Sequence, residues 1–432
     1  MSDKAMRIGR FLDPLHRAID RFLAVPPWVM GILFTTVFFL RRPQAILQAD
    51  FWAEDGCVWY ADAYEAGWRS LLSPHGGYLQ TISRLVAELA QNFPLSWGPT
   101  IFAASALIIE ALPPTLLISR RMDDAWPDRR ARLGFALIYV LLPNAMEPLT
   151  NLTNSQWHLA CLAFLIVTIR PSSSRLVGTA ELLALAISGL SGPFSIFLLP
   201  IAVWQFLGSR SKPALLRVII LATCVIIQGS ILFDTMSATR PEAPLGVGVV
   251  TLARIIALQI ILGAALGITN IIRVSRSWVW GIDAVPLAIA LVGGFLCLVA
   301  LRRGTPLLRK SFVWAAPIFA AALITPVVSL TEPQWTVLTI PGAGNRYFLI
   351  PMLVWIAICM SLLHDRTMLV RGLAFGFIVL LPVGMFADFR YPESKPTGFA
   401  EHAREFERAP VGTRTVFPVL PPGFPPMVLT KH

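Results

Sequence analysis

The chain has 432 residues, is 55% hydrophobic and 14% charged, and has a mean hydropathy of +0.65; soluble domains carry about 25% charged residues, so an ordinary globular domain is excluded. The net charge of +11 does not indicate a nucleic-acid partner, because the charges cluster in short loops between apolar runs. Those runs recur along the chain without alternating, which excludes a β-barrel and leaves an all-α polytopic membrane protein.

In chain order, residues 6–23 come first. Ile8, Phe11, Leu12, Leu15, Ile19 and Phe22 share one face and Arg7, Arg10, Arg17 and Arg21 the other, which predicts an interfacial amphipathic helix on the cytoplasmic side for segment 1–23. Pro14 favours the alternative, a frayed basic tail. No small-residue cleavage site follows the first apolar run, so a cleavable signal peptide is not expected. Eleven spanning helices are predicted over 24–40, 98–118, 132–148, 156–170, 177–191, 194–208, 217–234, 283–300, 311–330, 347–363 and 369–387. Several are shorter than the roughly 20 residues of a straight span. Arg120, Arg121, Arg129, Arg130, Arg170, Arg175, Arg210, Lys212, Arg217, Arg302, Arg303, Arg309, Lys310, Arg366 and Arg371 are expected on the cytoplasmic side. The segment 251–268 is also apolar, but as a span it would put Arg302 to Lys310 outside. It is read as re-entrant or interfacial, with a twelfth span as the alternative. The N-terminus then lies inside and the C-terminus outside. The membrane body covers 24–387, and 388–432 is an outer, proline-rich tail unfit for a long helix or a central strand. Five scattered cysteines suggest neither a disulfide framework nor a zinc site.

The first outer loop, 41–97, holds the densest chemistry. Asp50, Glu54 and Asp55 fall within six residues at the membrane boundary, where acids are expensive to bury and suited to taking a proton. Asp55 is the first candidate for a general base and Glu54 the second; a solvated loop start or helix cap is the plainer reading, and Asp50 fits a cap as well. Tyr60, Tyr64 and Trp68 predict one interfacial helix. Tyr78, Ile82, Leu85, Val86, Leu89 and Phe93 predict another, with Arg84 and Glu88 as an i,i+4 pair on its polar side. His75 and Tyr78 stand at the break between them, where His75 could assist proton transfer or serve the turn. Arg346 is the candidate for an anionic phosphate, or else a snorkelling anchor. Arg84, Arg254, Arg273 and Arg276 are weaker alternatives. Asn151, Asn154, Gln156, Trp157 and His158 crowd a short outer loop with groups suited to sugar hydroxyls. Glu110 is either an intramembrane functional acid or a neutral acid bonded beside the Pro113-Pro114 kink. No GxxxxGK[ST] loop occurs. The carboxylates would suit Mg²⁺ or Mn²⁺, and no cofactor is assigned.

The run Glu54-Asp55-Gly56, the later Gly76-Gly77-Tyr78-Leu79 and Arg346-Tyr347-Phe348, set in a loop after the first span, resemble the GT-C integral-membrane glycosyltransferases, in particular bacterial O-antigen glucosyltransferase-like members. The resemblance covers the layout of most of the chain through short motifs. It implies a sugar donor on polyprenyl phosphate in the outer leaflet and a glycan or glycolipid acceptor of the envelope. It further implies a first-loop carboxylate as base (Asp55, Glu54 or Asp50) and inversion at the sugar; by their own chemistry Arg346 or Arg84 are the candidates for the donor phosphate and His75, Tyr78, Asn154, Gln156, Trp157, His158 and Tyr347 for the substrates. Membrane lipid and no nucleic acid complete the expected partners, and the bacterial inner membrane is the expected location. Two rivals remain. A lipid-linked glycan flippase should show repeated halves, and none is visible. A polysaccharide polymerase or ligase should carry arginine-rich outer loops, and Arg240, Arg254, Arg273 and Arg276 keep it in play.

Overall fold

The computed structural model describes residues 25–235 and 243–432. The predicted amphipathic helix over 6–23 and Arg240 lie outside these residues. Among the described residues seven helices are long and apolar enough to cross a membrane: Leu95–Leu117, Lys212–Asp234, Val249–Ser275, Ala284–Arg303, Pro306–Ile324, Asn345–Leu362 and Met368–Ala387. Shorter apolar helices, Pro27–Arg41, Ser155–Thr168 and Phe194–Ser209, stand with them, as do Arg129–Val140 and Arg175–Gly189. The departure from an all-α chain is a hairpin in the tail, where Arg414–Phe417 pairs antiparallel with Met427–Thr430.

Contacts between loops define two ends. At one, Arg121 pairs with Glu181 and donates to the carbonyl of Arg170. Arg217 donates to the carbonyl of Ile169 at 3.1 Å, Lys310 to Gln205, and Arg303 to Asp365 at 2.8 Å. The arginine- and lysine-bearing loops therefore meet. At the other end gather the first loop, residues 141–154, 190–193 and 325–346, and the tail, tied by contacts such as Thr81 N to Leu190 O and Glu147 to Arg346.

Three local outcomes differ from the sequence expectations. The helix expected over 132–148 stops at Val140. Arg41 takes the carbonyls of Val140 at 2.7 Å and Leu142 at 2.8 Å, Pro143 and Pro148 have no N–H to continue the helix, and Asn144 and Thr150 adopt left-handed φ. The result is an irregular acid- and amide-bearing loop over 141–154. The expected i,i+4 pair of Arg84 and Glu88 does not form. The helix Thr81–Ala90 buries both residues and exposes Leu89 and Phe93; Arg84 pairs with Asp62 at 3.0 Å, and Glu88 accepts from Ser70 Oγ at 3.0 Å. The charged side faces protein because nothing else can satisfy it, while the apolar side can face lipid. The expected stripe Tyr60-Tyr64-Trp68 is also broken up. A π-helical turn over Asp55–Tyr60, the helix Ala61–Ala66 and a 3₁₀ turn over Gly67–Leu72 rotate these rings apart, leaving Tyr60 buried and Trp68 exposed.

The segment read as re-entrant or interfacial, 251–268, belongs to the longer helical stretch Val249–Ser275, which is long and apolar enough to span by composition. It is interrupted at Gly267, with φ 77°. Besides packing on the helices Ala284–Arg303 and Met368–Ala387, it makes polar contacts with loops. Arg254 pairs with Asp283, Gln259 donates to the carbonyls of Leu338 and Ile340, and Ile268 N and Thr269 N donate to Asp388.

The tail packs against the first loop. Ala53 N donates to Leu420 O and Leu420 N to Phe51 O at 2.8 Å, so Leu420 brackets Trp52 like a short parallel strand. Phe51, fully buried, meets Phe399, Phe102 and Tyr60 with ring centroids 5.1 to 5.2 Å apart. Such aromatic pairs contribute about 0.5–1.5 kcal/mol each beyond area burial. Glu407 accepts from Leu95 N at 2.6 Å.

Candidate functional site

The acidic motif begins with Ala53 in left-handed conformation, φ 47°. This turn sends Glu54 and Asp55 in different directions. Asp55 goes inward, 2% exposed. Its Oδ2 accepts from Leu152 N at 3.0 Å and its Oδ1 from Thr153 N at 2.7 Å. These N–H groups precede the helix Ser155–Thr168, so the carboxylate also sits at the favourable pole of that helix. Glu110 does the same one step earlier, accepting from Thr150 N. Two carboxylates from different elements thus hold the backbone of the 150–153 turn. Burial pushes the Asp55 carboxyl well above the usual carboxylate range; the N–H groups of Leu152 and Thr153 and the charge of Arg42 pull it down, and Glu54 pushes it up.

Glu54 faces the other way and is half-buried. Its Oε2 accepts from Thr153 Oγ1 at 3.3 Å. Around it, Tyr78 has Tyr347, Gln156, Arg346 and Glu54 as polar neighbours, and His75 lies within electrostatic reach of Glu54. Tyr78 is delivered by a tight turn in which His75 N donates to Tyr78 O at 3.0 Å. Gly76 and Gly77, with φ of 61° and 91°, supply the two positive φ values of a primed hairpin turn. The His75 ring rests edge-on against Trp59 at 5.1 Å.

Arg346 stands on a 3₁₀ turn before the helix Leu349–Leu362. It pairs with Glu147, donates to Val327 O at 2.7 Å and lies over the Tyr347 ring at 4.5 Å. Trp157 meets Tyr347 at 5.8 Å and Phe194 at 4.8 Å between centroids. Gln156 Oε1 and Trp157 Nε1 are buried without a hydrogen-bond partner in the protein. A Cβ at Gly192 would lie 2.3 Å from that Gln156 oxygen, so glycine there gives Gln156 its place.

Of the residues singled out from sequence, Glu54, His75, Tyr78, Gln156, Trp157, Arg346 and Tyr347 come together. Others do not present free groups there. Asp50 holds the tail, accepting from Thr397 N at 3.0 Å and from its hydroxyl. Arg84 is sealed beneath Trp59, with its guanidinium 5.0 Å from the ring centroid. Asn154 bonds Asn151 Oδ1 at 2.9 Å and Glu147 O at 3.1 Å. His158 is buried; its Nε2 must donate to Pro148 O at 3.0 Å, since a carbonyl only accepts, and Nδ1 then accepts from Tyr139 Oη at 2.7 Å. Its ring nitrogens are both engaged within the fold. Glu147 and Asp388 escaped sequence reasoning. Glu147 lay inside a presumed span, and ending that span at Pro143 would have exposed it. Asp388 sat at the edge of an apolar run and gave no local signal.

Asp50 and Asp55 direct their oxygens to protein donors, and Glu147 pairs with Arg346. Among the described residues no three of His, Cys, Asp and Glu form a metal-binding group. Comparison of the chain with protein-family models, curated proteins and solved structures returns no match.

Proposed function

We propose that the protein is a membrane glycosyltransferase of GT-C architecture, moving a sugar, expected to be a hexose, from polyprenyl phosphate to an envelope glycan or glycolipid. In this reading eleven helices cross the bacterial inner membrane and Val249–Ser275 lies across the outer end. The basic end faces the cytoplasm by the positive-inside rule, and the tail lies outside. The observation that carries the reading is Glu54: a half-buried carboxylate with one side-chain partner, within electrostatic reach of His75, Tyr78 and Arg346 at the acid-rich end of a helical membrane body.

Glu54, rather than Asp55, is the base in this proposal, because both Asp55 oxygens already hold backbone N–H groups. Glu54 accepts the proton of the acceptor hydroxyl, and the oxygen bonds to the anomeric carbon. The bond from that carbon to the phosphate oxygen breaks with its electron pair, and polyprenyl phosphate leaves. Arg346 receives the phosphate charge in exchange for part of its contact with Glu147. The unpartnered Gln156 oxygen and Trp157 N–H accept and donate to sugar hydroxyls, as buried polar groups require.

The test is mass spectrometry of envelope glycans from a strain lacking the protein, complemented with wild type or Glu54→Gln. Loss of one sugar mass, restored by wild type alone, is expected; general-base removal costs about 10²–10⁴-fold in rate. Full restoration by Glu54→Gln, with normal protein levels, would rule out this base.

A further inference from the structure

A cleft lies between the start of the first loop and the tail, with Asp55 but not Glu54 in its lining. It is lined by Arg41, Arg42, Asp50, Asp55, Arg390 and Glu393, among others, and encloses about 50 Å³. A water needs roughly 10–15 Å³ on this measure, so the cleft has room for several waters or one small polyatomic group.

Its charged groups are unequally engaged. Arg41 is buried and its Nη atoms hold the carbonyls of Val140 and Leu142 and the hydroxyl of Tyr391. Asp50 is committed to Thr397 and Asp55 to Leu152 and Thr153. Arg42 gives Nη1 to Leu149 O at 2.8 Å and rests on Trp52, its guanidinium 4.3 Å from the ring centroid. Among the described residues its Nε and Nη2 have no hydrogen-bond partner, and Arg42 lines the cleft. Arg390 is exposed and makes no hydrogen bond or ion pair with the described residues. Glu393 is exposed nearby. Burial lowers Arg42 to about 10, which leaves it charged at neutral pH. Two guanidinium groups with unpartnered donors among the described residues thus share one cavity in which the Asp50 and Asp55 carboxylates already serve other donors and Glu393 is the remaining acid. Arginine forks match the geometry of phosphate oxygens. The cavity lies where the helices Pro27–Arg41 and Met368–Ala387 end, the level at which lipid headgroups sit against a membrane body.

We propose that this cleft binds the phosphate of an anionic lipid headgroup between Arg42 and Arg390. The proposal needs no glycosyl transfer, so it stands or falls separately from the enzymatic reading.

The experiment uses the full chain purified from discs of phosphatidylcholine with and without phosphatidylglycerol. Native mass spectrometry counts retained phosphatidylglycerol. Wild type should retain it, added inorganic phosphate should displace it, and Arg390→Ala should reduce retention several-fold. Arg390 bonds nothing in the described protein, so its loss leaves the fold intact. Arg42→Ala should abolish retention, but it also removes the Leu149 contact, so its thermal unfolding is measured alongside. Equal retention by wild type and Arg390→Ala overturns the site. Inorganic phosphate bound with no lipid retained overturns the lipid as its source.

Discussion

Adjacent acids with different surroundings are expected to answer substitution differently. Glu54→Gln removes a proton acceptor with one hydroxyl partner, whereas Asp55→Asn puts an amide against two backbone donors. The second change should lower stability by about 1–3 kcal/mol, the range for leaving a buried donor unsatisfied, read as the unfolding midpoint in detergent. An unchanged midpoint would show that the turn over 150–153 does not depend on this carboxylate. The sign of the pH dependence follows from the raised proton affinity of Asp55. A carboxyl that binds its proton more tightly folded than unfolded contributes stability that is greatest at low pH and declines as pH rises from its unfolded value of about 4. Wild type should therefore lose stability relative to Asp55→Asn on going from acid to neutral pH, and a gain would reverse the assignment. Sequence reasoning picked out the acid pair because three carboxylates beside a span stand out by composition. It ranked Asp55 above Glu54 because the partners that engage Asp55, Leu152 and Thr153, are nearly a hundred residues away and leave no mark near Gly56.

Among the elements, the break in the Val249–Ser275 stretch rests on one residue pair. A Cβ at Gly267 would lie 2.5 Å from Asp388 Oδ2, and the φ of 77° disfavours any side chain. Asp388 in turn accepts from Asn144 N at 2.9 Å and Ile268 N at 2.6 Å. Gly267→Ala should cost more than about 1 kcal/mol and release the 268–275 helix, seen as faster amide exchange over Ile268 to Asn270. Exchange rates equal to wild type would show the pin to be dispensable. Apolar runs located the long helices, whose composition alone marks them. They misjudged Arg129–Val140, since Leu141 and Leu142 prolong the apolar run while Arg41 removes their neighbours' carbonyls from the helix. They also missed that Thr81–Ala90 turns its charges inward, because periodicity reports a face and not which solvent that face meets.

In the whole molecule, two segments far apart in sequence form one unit. Asp50 and Thr397 are 347 residues apart, yet the tail supplies the strand-like partner of Trp52 and the Phe399 ring of the Phe51 cluster. Phe399, 1% exposed, makes a decisive substitution: Phe399→Ala should cost about 3–5 kcal/mol, detach the tail and abolish the proposed transfer while leaving the membrane helices in place. Limited proteolysis in the 394–432 region, with circular dichroism for helix content, checks both halves; a tail as resistant as in wild type would show the ring to be redundant. The proline content of the tail correctly excluded a long helix, but docking onto the first loop depends on shape and was not readable from the sequence. The bond from Ala53 to Leu420 also fixes an order of events during synthesis. Residues 50–57 leave the ribosome early and reach the membrane long before Leu420 exists. Contacts between such distant segments close slowly, so the pairing beside Trp52 is completed only after the intervening helices have been made. If the proposed transfer is correct, a nascent chain lacks the Leu420 bracket beside its candidate base until residue 420 has been made and has folded back.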